Sequence, residues 1–269
     1  MKNTFMTGTG GVAPLLAVAA IAAMAGFADG QRLVLENNGF RAEIAPGLGG
    51  RVSFYAAAGE SNALWFAEAD APVEGWLNHG GEKTWIGPQS SWKRLSGKGW
   101  PPPPFFDQAR YEVAGSRRGQ SAVVLASPAD AESGLRVVRE IELLPDGSLQ
   151  VASRLETCGD SQSVPVGELL LWSVAQIVLP DEVRAVDGAG SAARLVPEGE
   201  KRLYGGLGPA PLSARVGTMR IVAEAVGAEG ASAAVYFTGT NAPPDRRYAE
   251  LEFSAPAGKG LTVRYRLEK

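Results

Sequence analysis

Two residue types are nearly absent. The 269-residue chain has one cysteine, Cys158, and one histidine, His79. A lone cysteine excludes an intrachain disulfide and a multi-cysteine metal cage, and a lone histidine argues against zinc. Charge of one sign is lacking too: 26 Lys and Arg against 29 Asp and Glu leave a formal net charge of −3. With no broad basic field, the chain is not expected to bind nucleic acid. Nor does any stretch hold a 3.6-residue apolar period over several turns. The nearest, Met219 to Val226, alternates instead, as a strand does. Glycine (34) and proline (18) are plentiful, as expected where many strands are joined by tight turns.

The first ~28 residues read as a targeting segment, with Lys2 as a positive start, an apolar run from Val12 to Phe27, and small-residue cleavage candidates around Ala23–Ala25 and Gly26–Ala28. The run is short for a membrane span, and no cysteine follows closely to carry a lipid. Residues 29–269 are then expected to be one exported domain, periplasmic or secreted, with no stable membrane span once the segment is removed, a segment retained as an N-terminal anchor being the alternative. Lacking disulfides, it would rest on burial alone.

From Gln31 the pattern is one of strands. Arg32–Glu36 and Phe40–Ile44 flank Asn37-Asn38-Gly39, a hairpin signal. Strands follow at Arg51–Tyr55, Asn62–Glu68, Arg110–Ser116 and Ala122–Ser127, the last two joined around Arg117–Gln120. Leu135–Leu144 and Ser148–Thr157 form another hairpin, with Leu135, Val137, Arg139, Ile141 and Leu143 on one face. Val164–Val178 reads as one long strand, or two with a bulge. Val183–Val186, Ala193–Val196, Lys201–Tyr204, Met219–Val226, Ser232–Thr238, Tyr248–Ser254 and Leu261–Leu267 complete the set. The fold class is all-β, with two large antiparallel sheets.

The stretch from Trp76 to Asp107 lacks a sustained period and reads mostly as loop, with Pro101–Pro104 a stiff polyproline segment. It holds His79 and four of the six tryptophans: Trp76, Trp85, Trp92 and Trp100. Tryptophan in a loop is costly unless it packs or binds something. Beside the rings stand Asn78, Glu82, Lys83 and Gln89. Flat apolar faces next to fixed polar groups suit a sugar ring, whose C–H face stacks while its hydroxyls take hydrogen bonds. The same features also fit an ordered loop closing one end of a core. Glu168, among apolar neighbours, is expected to be half-buried with Arg51 as partner, or Arg51 to be a sugar ligand. Lys83 and Lys93-Arg94 fit a solvated loop, or a site for a uronate or phosphate, and Cys158, in a turn beside Gly159, is read as structural.

The opening strand–turn–strand with Gly49-Gly50-Arg51-Val52, the meander Gly134–Thr157 with its Asp146-Gly147 turn, and Tyr248-Ala249-Glu250-Leu251-Glu252 resemble the galactose mutarotase (aldose 1-epimerase) superfamily. His79-Gly80-Gly81-Glu82-Lys83-Thr84-Trp85-Ile86-Gly87-Pro88-Gln89 and Gly99-Trp100-Pro101-Pro102 resemble an uncharacterised bacterial family assigned to that fold. The resemblance implies a β-supersandwich whose concave face binds carbohydrate, with a histidine acid on the ring oxygen and a glutamate base on the anomeric hydroxyl. It assigns these roles to His79 and Glu250, with Glu252 next. Arg51, Asn78, Lys83, Trp85, Gln89, Trp92, Trp100, Glu168, Trp172 and Glu252 are candidate sugar-binding residues. The strand after the meander, Glu168–Ser173, has no histidine where typical mutarotases carry a second one. Alternation sends Glu250 and Glu252 away from the core, which also fits a solvated sheet face. No cofactor and no metal is implied. An aldose epimerase, a non-catalytic glycan-binding protein and a polysaccharide lyase-related protein all remain open.

Overall fold

A computed structural model describes residues 31–67, 76–116, 121–159, 164–227 and 229–269. The targeting segment, Glu68 and the turn Arg117–Gln120 lie outside the described residues.

In chain order the strands are β1 (Leu33–Asn37), β2 (Phe40–Ala45), β3 (Arg51–Ala57), β4 (Glu82–Gly87), β5 (Glu112–Ser116), β6 (Ala122–Ala126), β7 (Leu135–Leu143), β8 (Leu149–Thr157), β9 (Leu170–Val178), β10 (Val183–Val186), β11 (Ala192–Leu195), β12 (Arg202–Leu207), β13 (Leu212–Val216), β14 (Met219–Ala225), β15 (Ser232–Phe237), β16 (Tyr248–Pro256) and β17 (Leu261–Glu268). Between β4 and β5 lie two single-turn helices, α1 (Trp92–Ser96) and α2 (Pro104–Asp107). An eight-stranded sheet runs β1-β2-β3-β4-β9-β16-β15-β12, and a nine-stranded sheet runs β11-β10-β13-β14-β17-β8-β7-β6-β5. The strands of β1 to β17 that pair do so antiparallel, so the protein is an all-β sandwich.

One hydrophobic core lies between the sheets. Ile44, Val52, Leu171, Ile177, Leu251 and Phe253 come from the first, and Val137, Ile141, Val151, Ile221, Val263 and Tyr265 from the second. Alternation explains most of these sets, since a strand with one covered face buries every second side chain. The β1–β2 turn is a tight reversal, with Asn38 and Gly39 both at positive φ (45° and 81°), the geometry an Asn-Gly pair tolerates.

Three expectations change. Asn62–Ala67 makes only isolated bridges, Leu64 to Ile177 and Phe66 to Gly80, rather than a strand. The tryptophan stretch is not mostly loop: β4 rises from its middle and lies between β3 and β9. All six β4 residues are buried, so no polar–apolar alternation marked it. The proline run is cut short because Pro104 opens α2, where its missing N–H costs nothing. Strand β13 also went unpredicted.

Candidate functional site

The site stands where β4, β9, β16 and β15 lie side by side. Register pairs Lys83 with Val174 and Val174 with Glu252. It pairs Gln176 with Glu250 and Glu250 with Tyr236. It pairs Trp85 with Trp172 and Trp172 with Ser254. Cross-strand partners share a face. Lys83, Trp85, Trp172, Gln176, Glu250, Glu252 and Tyr236 therefore project from the outer face, while Ile86, Leu171, Leu251 and Val235 fill the core.

The segment before β4 reaches this face through two glycines. Gly80 and Gly81 both have φ of 73°, and a Cβ on either would sit 2.2 Å from the Trp65 carbonyl oxygen or 2.3 Å from that of Val52. Only glycine permits both the conformation and the approach.

A buried clamp fixes the rest of the tryptophan segment. Asp107 Oδ1 accepts from Trp85 Nε1 (2.8 Å) and Arg51 Nη2 (3.3 Å), and Oδ2 accepts from Trp76 Nε1 (2.7 Å). Arg51 also donates to the carbonyls of Leu48 (2.6 Å), Gly80 (2.9 Å) and Asp107 (2.7 Å). Its donors all point inward, so Arg51 is a brace rather than a sugar ligand, and its partner is Asp107, not Glu168.

Glu168 is not half-buried. It lies exposed in a 3₁₀ turn and pairs with Arg94 at 2.9 Å, because the chain is not yet extended there and its side chain falls outside the sheet. Trp92 is wholly buried, donates to the Ile86 carbonyl (2.6 Å) and packs on Trp85 and Phe106, so it closes the core and offers no face to a ligand. Trp85 is nearly covered, with the Lys83 ammonium 4.4 Å from its ring centroid. Trp100 is 51% exposed, edge-on to Trp76. Gln89 is exposed and donates to the Gly99 carbonyl, away from the sheet face. Trp172 is half-buried and lies against Gly87, where a Cβ would meet its ring at 2.5 Å.

The ionisable groups converge. Glu250 Oε1 accepts from Gln176 Nε2 at 2.5 Å, and the Glu250 and Glu252 carboxyls lie close enough to act on each other. Burial, then the Glu250 charge, pushes the Glu252 carboxyl up to about 8, while Lys83 pulls it the other way. Burial lowers the Lys83 ammonium to about 8, against the attraction of Glu250. Lys83 Nζ reaches Asn78 Oδ1 at 3.4 Å, and Asn78 Nδ2 donates to the Tyr248 hydroxyl at 2.9 Å. Burial and then the Glu250 charge hold the Tyr248 phenol well above its ordinary value. Trp65 packs on Tyr248 with ring centroids 4.7 Å apart, and Tyr236 lies 6.3 Å from Tyr248. Glu250 and Glu252 are thus not on a freely solvated face: Glu250 is 8% exposed and Glu252 half-buried.

His79 sits behind this cluster. It is buried, its Nδ1 has no hydrogen-bond partner, and its carbonyl accepts from the Ala67 amide at 3.0 Å. Burial first and then the Arg51 charge lower its pKa, which favours neutral imidazole near pH 7. Its charged surroundings are Arg51, Asp107 and Lys83.

Sequence reasoning missed Asp107, Gln176, Trp65, Tyr236 and Tyr248 as members of this site. The two tyrosines and Gln176 were legible in principle. Once β16 pairs with β9 and β15, Gln176 and Tyr236 stand beside Glu250, and Tyr248 stands two residues before it. Asp107 carried no local signal, since its partners lie 22 to 56 residues away.

In fold, the chain is similar to the crystal structure of a 4-alpha-glucanotransferase from Thermococcus litoralis, with a TM-score of 0.51 and 15% identity over 90% of this chain. It spans only 38% of that enzyme's chain. No curated protein matches the chain. The family profile described as "Domain of unknown function (DUF4380)" matches residues 30–166, which contain β4, Asn78, His79, Lys83 and the Asp107 clamp but neither β9 nor β16. The chain belongs to the DUF4380 family.

Proposed function

We propose that this is an exported carbohydrate-binding protein of galactose mutarotase-like fold, residues 29–269 forming one domain that holds a sugar on the outer face of its eight-stranded sheet. One observation carries the reading: Lys83, Gln176, Glu250 and Glu252 converge there beside the half-buried rings of Trp65, Tyr236 and Tyr248. Polar groups fixed next to flat apolar rings suit a polyhydroxylated ring better than an apolar or polyanionic ligand. The fold likeness to a glucanotransferase is in keeping with this reading, and the apolar run Val12–Phe27 behind Lys2 supports export to the periplasm or beyond.

A second reading, an aldose 1-epimerase, is favoured by the contact between Glu250 and Glu252. The anomeric hydroxyl and the ring oxygen hang on one carbon, so a proton acceptor and a donor side by side match them. Glu250 would take the hydroxyl proton while protonated Glu252 delivers one to the ring oxygen. The bond between C1 and the ring oxygen breaks, the aldehyde forms, and reclosure on the other face returns both protons. Here Glu252 takes the role first assigned to His79, whose pKa is lowered by burial and then by the Arg51 charge.

Intrinsic fluorescence titration with a panel of mono- and oligosaccharides tests the binding reading. Quenching or a shift of emission at millimolar sugar or below is expected, and no change with any sugar would overturn it. Anomer exchange rates with and without protein separate the two readings.

A further inference from the structure

The acidic and basic side chains of this face do not pair one for one. Behind it, Arg51 is paired with Asp107. On it, Lys83 is the one ammonium among the groups acting on Glu252, and it faces two carboxylates, Glu250 and Glu252. One carboxyl, Glu252, therefore has no cation of its own and is neutralised by a proton instead. Next to Glu250, the Gln176 side chain is fully buried, and its Oε1 has no hydrogen-bond partner although its Nε2 is engaged. Buried acceptors are normally satisfied, so a carbonyl without a partner beside two carboxyl groups is one that a donor would complete. The rings of Tyr236 and Tyr248 flank the same place, and aromatic faces attract cations.

We infer that the sugar held here carries a free ammonium group, an amino sugar whose –NH₃⁺ lies among Glu252, Glu250 and the Gln176 carbonyl. This rests on the carbohydrate reading above and names its ligand class. The ammonium takes the place of the proton on Glu252, and its three donors match the acceptors there. In the free protein Glu252 holds its proton, because burial and Glu250 oppose its ionisation. A bound cation reverses that balance, so Glu252 ionises and a proton is released. An ionised Glu252 is a counter-ion rather than an acid, so the inference belongs to the binding reading and not to the epimerase. The charged and titratable groups that face Glu252 are Glu250, Lys83 and Tyr236, with Arg51 and Asp107 behind Lys83.

Calorimetric titration of the whole protein with glucosamine, galactosamine, glucose, galactose and N-acetylglucosamine at pH 6.5, in two buffers of different ionisation enthalpy, tests it. The amino sugars should bind about tenfold or more tighter than the neutral and N-acetylated ones, as for a charge-assisted contact replacing a neutral one. Their binding should release on the order of one proton, and that of neutral sugars none. Glu252→Gln should bring the ratio of amino-sugar to neutral-sugar affinity close to unity, a ratio that a general loss of binding does not produce. Proton release by the unsubstituted protein stands even if the variant fails to fold. Equal or tighter binding of glucose or galactose, or amino-sugar binding without proton release, overturns the inference and leaves the carbohydrate reading standing. Binding of none of the five overturns both.

Discussion

Glu82 and Lys83 are neighbours in β4, yet they belong to two different polar regions. Glu82 points between the sheets. There it forms a fully buried ion pair with Arg139 of β7, accepts from Ser173 Oγ at 3.0 Å, and through Ser173 reaches the Tyr265 hydroxyl. Arg139 also donates to the Gly50 carbonyl at 2.6 Å. Lys83 points outward, into a cluster with two carboxylates for one ammonium and a carbonyl left open. The inner region is matched charge for charge and ties one sheet to the other. In the outer region a proton on Glu252 stands in for a second cation, and the Gln176 carbonyl lacks a partner. Burial of charge alone therefore does not mark a site; an imbalance that something else could complete does.

The comparison predicts that breaking the inner pair costs stability and breaking the outer cluster costs binding. Arg139→Met leaves Glu82 buried without its cation and should lose about 3–5 kcal/mol of unfolding free energy in urea. A loss below about 1 kcal/mol, the ordinary scale of an exposed pair, would erase the distinction between the regions.

The tryptophans sharpen it further. Trp92→Ala should cost about 3–5 kcal/mol, as for a large side chain removed from a core, with little change in any sugar affinity beyond that loss of fold. Trp100→Ala, at 51% exposure, should stay within about 1 kcal/mol by the same unfolding measurement.

On the outer face, Glu250→Gln should weaken sugar binding by about tenfold, the scale of one charge-assisted hydrogen bond, while the unfolding midpoint in urea moves little. A large stability loss with unchanged affinity would instead make Glu250 a structural residue.

The smallest effect is on pH. The Glu252 carboxyl rises from 4.5 to about 8 on folding, so the folded state prefers its neutral form. The stability this gives is complete below 4.5 and is lost as pH rises through about 8. Thermal midpoints measured from pH 5 to 8 should fall less steeply in Glu252→Gln than in the parent. Identical slopes would show that Glu252 titrates as an ordinary surface acid.

Most of the fold was legible in the sequence because alternation is a local signal. The two faces of β7, the Asn38-Gly39 reversal and the strands near the C-terminus follow from residues a few positions apart. Strand β4 was not, because a central strand covered on both sides shows no alternation, and its Glu82 and Lys83 look like surface residues until their partners are found. Within the site, Glu250, Glu252, Lys83 and Asn78 were readable from their motifs. Their convergence with Gln176 and Tyr236 was not, since it depends on β9, β15 and β16 lying side by side, and residues 74 positions apart meet only through that pairing. Glu168 misled because an apolar neighbourhood in sequence was taken for one in space. Trp92 misled because a tryptophan in an irregular segment fits a core as well as a ligand.

The account stands most directly on the state of Glu252. Carbon-13 carboxyl spectra of protein labelled at its glutamates, followed across pH with and without glucosamine or galactose, read it. The account predicts one carboxyl titrating near 8, absent from Glu252→Gln and displaced when sugar is added. If every glutamate titrated below about 5, within the ordinary carboxylate range, and none moved with sugar, the outer-face cluster would be no more than a solvated surface.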